Sequence, residues 1–106
     1  MRRITANEFS ESYEVTIGVE FGSLMAKIED VSFKLQIWDT AGQERYSAVT
    51  RSFYKNAHLV IFTYSISSRQ SFHSLNMWYK EVQNASDNDA IFMLVGNKCD
   101  MELERQ

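Results

Sequence analysis

A strand with alternating polar and apolar positions is the clearest local pattern in this chain of 106 residues. Phe33, Leu35 and Ile37 occupy every second position, which turns them to one face of a half-buried strand. The preceding segment, from about Gly18 to Glu29, contains enough strand-forming residues to pair with it, namely Val19, Phe21 and Ile28. The pattern therefore predicts an antiparallel pair of strands whose hairpin turn is Glu29-Asp30.

Two later segments are continuous apolar runs rather than alternating ones. They extend from Leu59 to Tyr64 and from Ala90 to Val95. Such runs are typical of strands that are covered on both faces, as in a parallel sheet. We therefore predict two buried, parallel strands in the second half of the chain.

The segment between these runs has the periodicity of a helix. Ser67 and Gln70 fit a capping box at its start. Apolar side chains then recur at three- and four-residue spacing to form a buried stripe, which consists of Phe72, Leu75, Tyr79 and Val82. Strands and a helix in this order predict one α/β domain over residues 1–106, with a mainly parallel sheet and a ligand crevice beyond the carboxyl ends of its strands.

Composition and charge narrow the class of protein. Hydrophobic residues make up 44% and charged residues 24% of the chain, which predicts a folded domain. Fourteen acidic and eleven basic side chains give a net charge of −3, and no basic cluster is longer than Arg2-Arg3, so no nucleic-acid partner is expected. The single cysteine and the lack of an apolar run near 18 residues favour a cytoplasmic setting.

The run Trp38-Asp39-Thr40-Ala41-Gly42-Gln43-Glu44 follows the alternating strand and carries the first candidate chemistry. A carboxylate at Asp39 can hold Mg²⁺ directly or through a water. Gly42 allows a backbone N–H to approach a terminal phosphate, because no side chain intervenes. The amide of Gln43 can both accept from and donate to a water, so it can orient an attacking nucleophile.

The run Asn97-Lys98-Cys99-Asp100 follows the second apolar strand and fits the recognition of guanine. The Asp100 carboxylate can accept the N1–H and N2–H₂ donors that adenine lacks, while the Asn97 amide bonds around N7 and the Lys98 stem covers the ring. A polar turn after a strand is the alternative for this motif alone. The two motifs together predict a guanine nucleotide and Mg²⁺ in one crevice.

The phosphate loop G-x-x-x-x-G-K-S/T is not found in these 106 residues. The glycines are Gly18, Gly22, Gly42 and Gly96, and none of them has the required partners. Because this loop supplies the main contacts to nucleotide phosphates, we expect impaired nucleotide binding by the chain as it stands.

Four segments make the chain closely resemble the Rab branch of the Ras-like small GTPases over essentially its whole length. These segments are Thr16-Ile17-Gly18-Val19-Glu20-Phe21, Lys34-Leu35-Gln36-Ile37-Trp38, Asp39 to Tyr46, and Gly96-Asn97-Lys98-Cys99-Asp100. The stretch from Ile17 to Phe21 and the tryptophan before Asp39 separate Rabs from Ras itself.

The resemblance implies a Ras-like P-loop NTPase fold, or G domain, with three layers and a mainly parallel sheet that contains one antiparallel strand. Residues 1–106 are then a partial G domain that lacks the first strand, the phosphate loop, and the last strand and helix. The resemblance also implies a molecular switch that binds GTP and GDP with Mg²⁺, hydrolyses GTP to GDP and phosphate, and regulates vesicle-mediated membrane traffic.

Particular residues take roles from the resemblance. Thr16 is expected to bind Mg²⁺ and the γ-phosphate, Phe9 to lie edge-on to guanine, and Gln43 to be the catalytic residue that orients water. The residues expected to contact effectors are Ile17, Phe21, Trp38 and Phe53, although a plain core role is the alternative for Phe53.

The expected partners are exchange factors, GTPase-activating proteins, GDP dissociation inhibitor and effector proteins. Membrane attachment is expected only through a prenylated tail, for which this chain has no carboxy-terminal cysteine box. A full-length, prenylated protein would lie on the cytosolic face of endomembranes. Two alternatives remain: a nucleotide-free module that binds Rab partners, and an α/β domain whose motifs are coincidental.

Overall fold

The computed structural model describes residues 1–12, 14–42, 52–85 and 90–106. The described elements are helix α1 (Arg2–Ala6), strands β1 (Val19–Ile28), β2 (Val31–Thr40) and β3 (Leu59–Ser65), helix α2 (Arg69–Ala85), strand β4 (Ile91–Asn97) and a 3-10 helix (Cys99–Glu104). The chain divides into two compact units, Met1–Thr50 and Arg51–Gln106, which are treated in turn. The prediction of one domain over residues 1–106 stays a prediction.

The first unit contains the predicted antiparallel hairpin. β1 and β2 pair along their whole length, from Val19 opposite Thr40 to Ile28 opposite Val31. The two-residue turn between them includes Glu29, which adopts the left-handed conformation with φ of 54°. Turns of this length need a positive φ because their twist must match that of the flanking strands. The hairpin and its turn are confirmed.

Helix α1 packs against one face of this hairpin, where Gly22 provides the space. A Cβ added at Gly22 would lie 2.7 Å from Thr5 Cγ2 and 2.8 Å from Met1 Sδ. The same face carries Leu24 and Leu35, which stand opposite each other in the register. The absence of a side chain at Gly22 therefore sets how closely α1 approaches the sheet.

The second unit contains the predicted parallel pair. β3 and β4 run parallel, from Leu59 opposite Ile91 to Ser65 opposite Asn97, and α2 connects them. β4 extends two residues beyond the predicted apolar run, so it includes the first residue of the second motif. The parallel strands and the intervening helix are confirmed.

Aromatic side chains join α2 to the parallel strands. Phe72 lies edge-on to Tyr64 with ring centroids 5.1 Å apart, and Tyr79 contacts Phe62 at 6.1 Å and Phe92 at 5.6 Å. Phe72 and Tyr79 of the predicted stripe therefore contact the sheet. The prediction of a buried stripe holds for Val82, but it is wrong for Phe72 and Tyr79, which are 49% and 41% exposed. No helix in the described part of the chain combines the length and apolar character needed to cross a membrane.

The start of α2 differs by one residue from the prediction. Ser68 is the N-cap, because the Ser71 N–H donates to Ser68 Oγ at 3.3 Å. Ser67 instead places its hydroxyl 2.9 Å from Ser65 Oγ. The predicted capping box of Ser67 and Gln70 is wrong because several serines precede the helix and the backbone brings Ser68 into the capping position.

The prediction that both faces of the parallel strands are covered is also wrong. α2 lies on the face that carries Phe62 and Phe92. On the other face, Ile61 is 54% exposed and Ile91 is 67% exposed. An apolar run shows that a strand can pack on both faces, whereas the described residues supply a layer for one of them.

Candidate functional site

The open end of the β1–β2 hairpin carries the residues predicted to bind phosphate and metal. The Ala41 N–H donates to the Gly18 carbonyl at 2.8 Å, which continues the ladder past the last strand pair. Asp39 lies on β2 opposite Glu20, in the next-to-last pair of the ladder. Thr16 precedes β1 and Gly42 follows β2 at the same end. The structure therefore brings these three predicted residues to one end of the first unit.

The side chains at this end are suited to a hard cation. Thr16 and Asp39 are both partly buried, and they offer a hydroxyl and a carboxylate oxygen. Gly42 faces open space, since a Cβ built there meets no described atom within 4 Å. Within the described ranges, no group of three His, Cys, Asp or Glu side chains forms a metal site. A magnesium ion here would need water or ligand oxygens besides these two residues.

Two further residues of the predicted nucleotide site, Phe9 and Gln43, belong to the first unit. Phe9 is highly exposed in the segment that follows α1. Gln43 lies outside the described residues, so its catalytic role stays a prediction.

An exposed aromatic pair lies on the hairpin face opposite to α1. Phe21 and Trp38 stand directly across from each other in the register, with ring centroids 4.5 Å apart. They are 48% and 45% exposed. Other positions on this face carry polar side chains, including Lys34 and Gln36. Large exposed aromatics on a largely polar face are typical of a recognition surface.

The predicted effector residues are divided between the two units. Ile17 is highly exposed and lies just before β1, in the unit that carries Phe21 and Trp38. Phe53 belongs to the second unit and is half-buried. The structure thus describes an exposed effector candidate at Ile17, Phe21 and Trp38, and for Phe53 the alternative of a core role stays open.

The second motif forms a tight turn at the carboxyl end of β4. The Lys98 N–H donates to Asn97 Oδ1 at 2.8 Å, and Lys98 adopts the left-handed conformation with φ of 63° and ψ of 42°. The Lys98 carbonyl then accepts the Met101 N–H at 2.9 Å. Asp100 lies in the first turn of the 3-10 helix with its side chain exposed.

These hydrogen bonds set what the motif can do chemically. Since Asn97 Oδ1 accepts a bond from the backbone, the Nδ2 group of the same amide is the one that can donate to a ligand. The exposed Asp100 carboxylate offers two acceptor oxygens. An amide donor and a carboxylate acceptor within four residues match the N7 acceptor and the N1–H and N2–H₂ donors of guanine.

Sequence reasoning missed the residues that fasten this turn to the rest of the second unit. The Ile66 N–H donates to the Asn97 carbonyl at 3.0 Å, and the Ile66 carbonyl accepts the Gln106 N–H at 3.1 Å. Both bonds use backbone atoms, so no side-chain pattern could reveal them. The close approach at Gly96 was a possible signal, since a Cβ there would lie 3.2 Å from Ile66 Cγ2.

The two predicted halves of the nucleotide site belong to different units. The first unit carries the predicted phosphate and metal residues, Thr16, Asp39 and Gly42. The second unit carries the predicted guanine residues, Asn97, Lys98 and Asp100. Their union in one crevice stays a prediction.

Comparison with known proteins adds the family. The Ras family model matches residues 1–106. Ras-related protein Rab-11C of Dictyostelium discoideum is 41% identical over 106 residues, which are 100% of this chain and 47% of that protein. Rab-2B of the same organism is 46% identical over 98 residues, covering 92% of the chain and 48% of the relative. RABA4d of Arabidopsis thaliana is 44% identical over 101 residues, covering 95% and 46%.

The chain spans about half the length of the curated relatives it matches. The family match agrees with the parallel and antiparallel strand pairs and confirms the Ras-like α/β fold class. The Rab names of the relatives confirm the resemblance to the Rab branch. The chain belongs to the Ras family.

Proposed function

We propose that this chain carries the base-reading and switch residues of a Rab-like small GTPase, which binds GTP and GDP with Mg²⁺ and regulates vesicle-mediated membrane traffic. The observation that carries the proposal is the turn after β4, where Asn97 Oδ1 is bonded to the backbone and the Asp100 carboxylate is exposed. The match of the whole chain to the Ras family supports it.

Guanine selectivity follows from the acceptors and donors of this turn. The Asp100 carboxylate accepts N1–H and N2–H₂, Asn97 Nδ2 donates to N7, and the Lys98 stem covers one face of the ring. Adenine offers no N2 amine and has an acceptor at N1, so it would leave the Asp100 carboxylate desolvated and unpaired. The exposed Phe9 is a candidate for an edge contact with the base.

The phosphates and Mg²⁺ would bind at the open end of the β1–β2 hairpin. Thr16 and Asp39 would hold Mg²⁺ together with water and phosphate oxygens, and the Gly42 N–H would donate to the terminal phosphate. The ion, when bound, supplies positive charge against the phosphate oxygens. Gln43 would orient the water that attacks the γ-phosphate. We therefore propose GTP hydrolysis as the activity of a Rab-like protein that carries these residues.

Weak nucleotide binding by these 106 residues is part of the same proposal. The sequence holds no phosphate loop, whose backbone N–H groups and lysine make several charge-assisted bonds to the β- and γ-phosphates. Each such bond contributes about 1.5–3 kcal/mol, so affinity for GDP is expected to be weaker than about 1 µM. Slow or undetectable hydrolysis by the isolated chain is expected for the same reason.

Isothermal titration of GDP, ADP and xanthosine diphosphate against the purified chain tests the proposal. We expect preference for GDP over ADP. In Asp100→Asn the preference should move to xanthosine diphosphate, because the new amide can donate to the C2 carbonyl of xanthine while its oxygen accepts N1–H. Glu104→Gln is the matched control, since it removes an exposed carboxylate from the same 3-10 helix.

Equal affinities for GDP and ADP would refute guanine recognition. Submicromolar affinity for GDP would instead leave guanine recognition intact and refute the inference that these residues bind phosphate weakly.

A second candidate function is a protein-interaction module that acts without nucleotide, and the exposed Phe21–Trp38 pair favours it. Its partners would be the effectors, exchange factors, activating proteins or GDP dissociation inhibitor of Rab proteins. Binding of a purified Rab effector in EDTA, after phosphatase removes nucleotide, separates the two functions. The module predicts binding that Trp38→Ala abolishes and Gln36→Ala leaves unchanged, whereas the switch predicts binding only with GTP.

A further inference from the structure

The segment between β3 and α2 is hydrogen-bonded to the turn at residues 97–101 that follows β4, which we call the base-reading turn. Ile66, the first residue after β3, donates its N–H to the Asn97 carbonyl at 3.0 Å. Its carbonyl accepts the Gln106 N–H at 3.1 Å, and its side chain is buried. The position of the Asn97 backbone therefore depends on where Ile66 is held.

The residue before Ile66, Ser65, is held by several hydrogen bonds, and the Ser71 hydroxyl supplies the one to its N–H. The Ser68 N–H donates to the Ser65 carbonyl at 3.1 Å, and the Ser67 hydroxyl lies 2.9 Å from Ser65 Oγ. The Ser65 N–H donates to Ser71 Oγ at 3.0 Å, and Ser71 Oγ lies 2.7 Å from the Ser68 carbonyl oxygen, to which it donates. The Ser71 hydroxyl thus bridges the last residue of β3 and the first turn of α2. Removal of this hydroxyl would leave a partly buried N–H at Ser65 without its acceptor.

Close packing limits how this connection can relax. A Cβ added at Gly96 would lie 3.1 Å from Tyr64 Oη and 3.2 Å from Ile66 Cγ2. β4 therefore runs against the connection one residue before Asn97. A displacement of Ser65 and Ile66 would pass to Asn97 through this contact and through the Ile66–Asn97 hydrogen bond.

The bond network continues into the groups that face the base. Asn97 Oδ1 accepts the Lys98 N–H, which helps to hold Lys98 in its left-handed conformation, and the Lys98 carbonyl accepts the Met101 N–H. Asp100 lies between these two bonded residues. The direction of the Asp100 carboxylate is therefore coupled to the backbone at Asn97.

We propose that Ser71 is a positioning residue for guanine recognition, acting through Ser65, Ile66 and Asn97 on the direction of the Asp100 carboxylate. The inference rests on the proposed function, since it assigns a specificity role within the same site. Ser71 itself lies on α2 and would not touch the nucleotide.

The test compares GDP with inosine diphosphate, which lacks the N2 amine, by titration against Ser71→Ala. Misdirection of Asp100 should reduce the preference for GDP over inosine diphosphate about three- to tenfold, the effect of one hydrogen bond. Inosine diphosphate should weaken less than GDP, because it donates only its N1–H to this carboxylate. Ser71→Thr keeps the hydroxyl and should retain the preference. Ser74→Ala is the matched control, because the Ser74 hydroxyl bonds within α2 to the Gln70 carbonyl.

Equal weakening of both nucleotides in Ser71→Ala would show a purely structural role and overturn the proposal. If Ser71→Ala does not fold, the pair Ser71→Thr and Ser71→Val gives the same comparison, since these two side chains have nearly the same shape and differ in the hydroxyl.

Amide hydrogen exchange without nucleotide separates this proposal from the function on which it rests. Ser71→Ala should speed exchange at the Ile66 and Met101 amides about three- to tenfold relative to Ser74→Ala, because both amides depend on the fastened turn. Unchanged exchange would overturn the positioning role. If the unaltered chain binds neither nucleotide while exchange still responds, guanine recognition fails and the coupling of Ser71 to the turn stands.

Discussion

Lys98 is the residue at which the backbone of the base-reading turn is most constrained. Its φ of 63° and ψ of 42° are in the left-handed region, which costs a residue with a Cβ about 1–2 kcal/mol. Its N–H and carbonyl are both bonded, to Asn97 Oδ1 and to the Met101 N–H. The turn therefore keeps a strained conformation at a position where the proposed function needs a long side chain.

Lys98→Gly should separate stability from binding. Because glycine adopts the left-handed conformation without strain, we expect the free energy of unfolding to rise by about 0.5–1 kcal/mol. GDP affinity should fall, since the lysine stem no longer covers the base. Urea denaturation and calorimetric titration measure the two effects. Glu29→Gly is the control: it relieves the same strain at φ of 54° in the hairpin turn and should leave GDP affinity unchanged. Loss of stability in both variants would contradict the strain argument.

The identities of the candidate site residues could be predicted from the sequence, but their backbone conformations could not. Asn97 and Asp100 are informative because their side-chain chemistry matches a base. The left-handed Lys98 arises from the turn between β4 and the 3-10 helix, and lysine carries no signal for it. The fastening by Ile66 uses backbone atoms, which any residue possesses.

At the scale of elements, periodicity predicted the strands and α2, whereas the exact start of α2 depended on competition among serines. Ser68 bonds to the Ser71 N–H, while the Ser67 hydroxyl pairs with Ser65 Oγ. Each of these serines is an acceptable cap by residue type. The choice among them is made by the path of the chain out of β3, which a local pattern does not contain.

Ser68→Ala should lower the free energy of unfolding by about 1 kcal/mol, because the Ser71 N–H loses its side-chain acceptor. Ser67→Ala should cost less than about 0.5 kcal/mol, since the Ser67 hydroxyl caps no helix N–H among its described bonds. Urea denaturation of the two variants gives the comparison directly. A larger loss in Ser67→Ala than in Ser68→Ala would restore the capping box predicted from the sequence.

Gly22 controls the packing of α1 on the hairpin. In Gly22→Val the new Cβ would meet Thr5 Cγ2 and Met1 Sδ at less than 3 Å, so α1 must move away. We expect a loss of about 1–3 kcal/mol in the free energy of unfolding and faster exchange at the Ile4 amide, which donates to the Met1 carbonyl. Ser23→Val, on the opposite face of β1, is the control and should be neutral. Unchanged exchange at Ile4 would show that α1 does not depend on this contact.

For the molecule as a whole, the apolar faces of β3 and β4 explain why the burial prediction failed. Local sequence reports which surfaces a strand can bury, but burial also requires a second layer. α2 lies on the face with Phe62 and Phe92, where Phe92 is still 41% exposed, and on the other face Ile61 and Ile91 are 54% and 67% exposed. The curated relatives are about twice as long as the part matched here, so the similar segment is part of a larger protein in each of them.

This exposed face should dominate the solution behaviour of the chain. Side chains on it that are more than one-third exposed include Leu59, Ile61, Ile91 and Val95, and β4 contains no charged residue that would oppose association. We expect the chain to bind the dye anilinonaphthalene sulfonate and to self-associate in sedimentation velocity as its concentration rises.

Ile61→Lys should reduce both dye binding and self-association, because association would then bury an unpaired ammonium group. Met25→Lys removes a still more exposed apolar side chain, at 67% against 54% for Ile61, from the largely polar face of the first unit and should change neither. A monodisperse, dye-free chain would mean that this face is covered in solution.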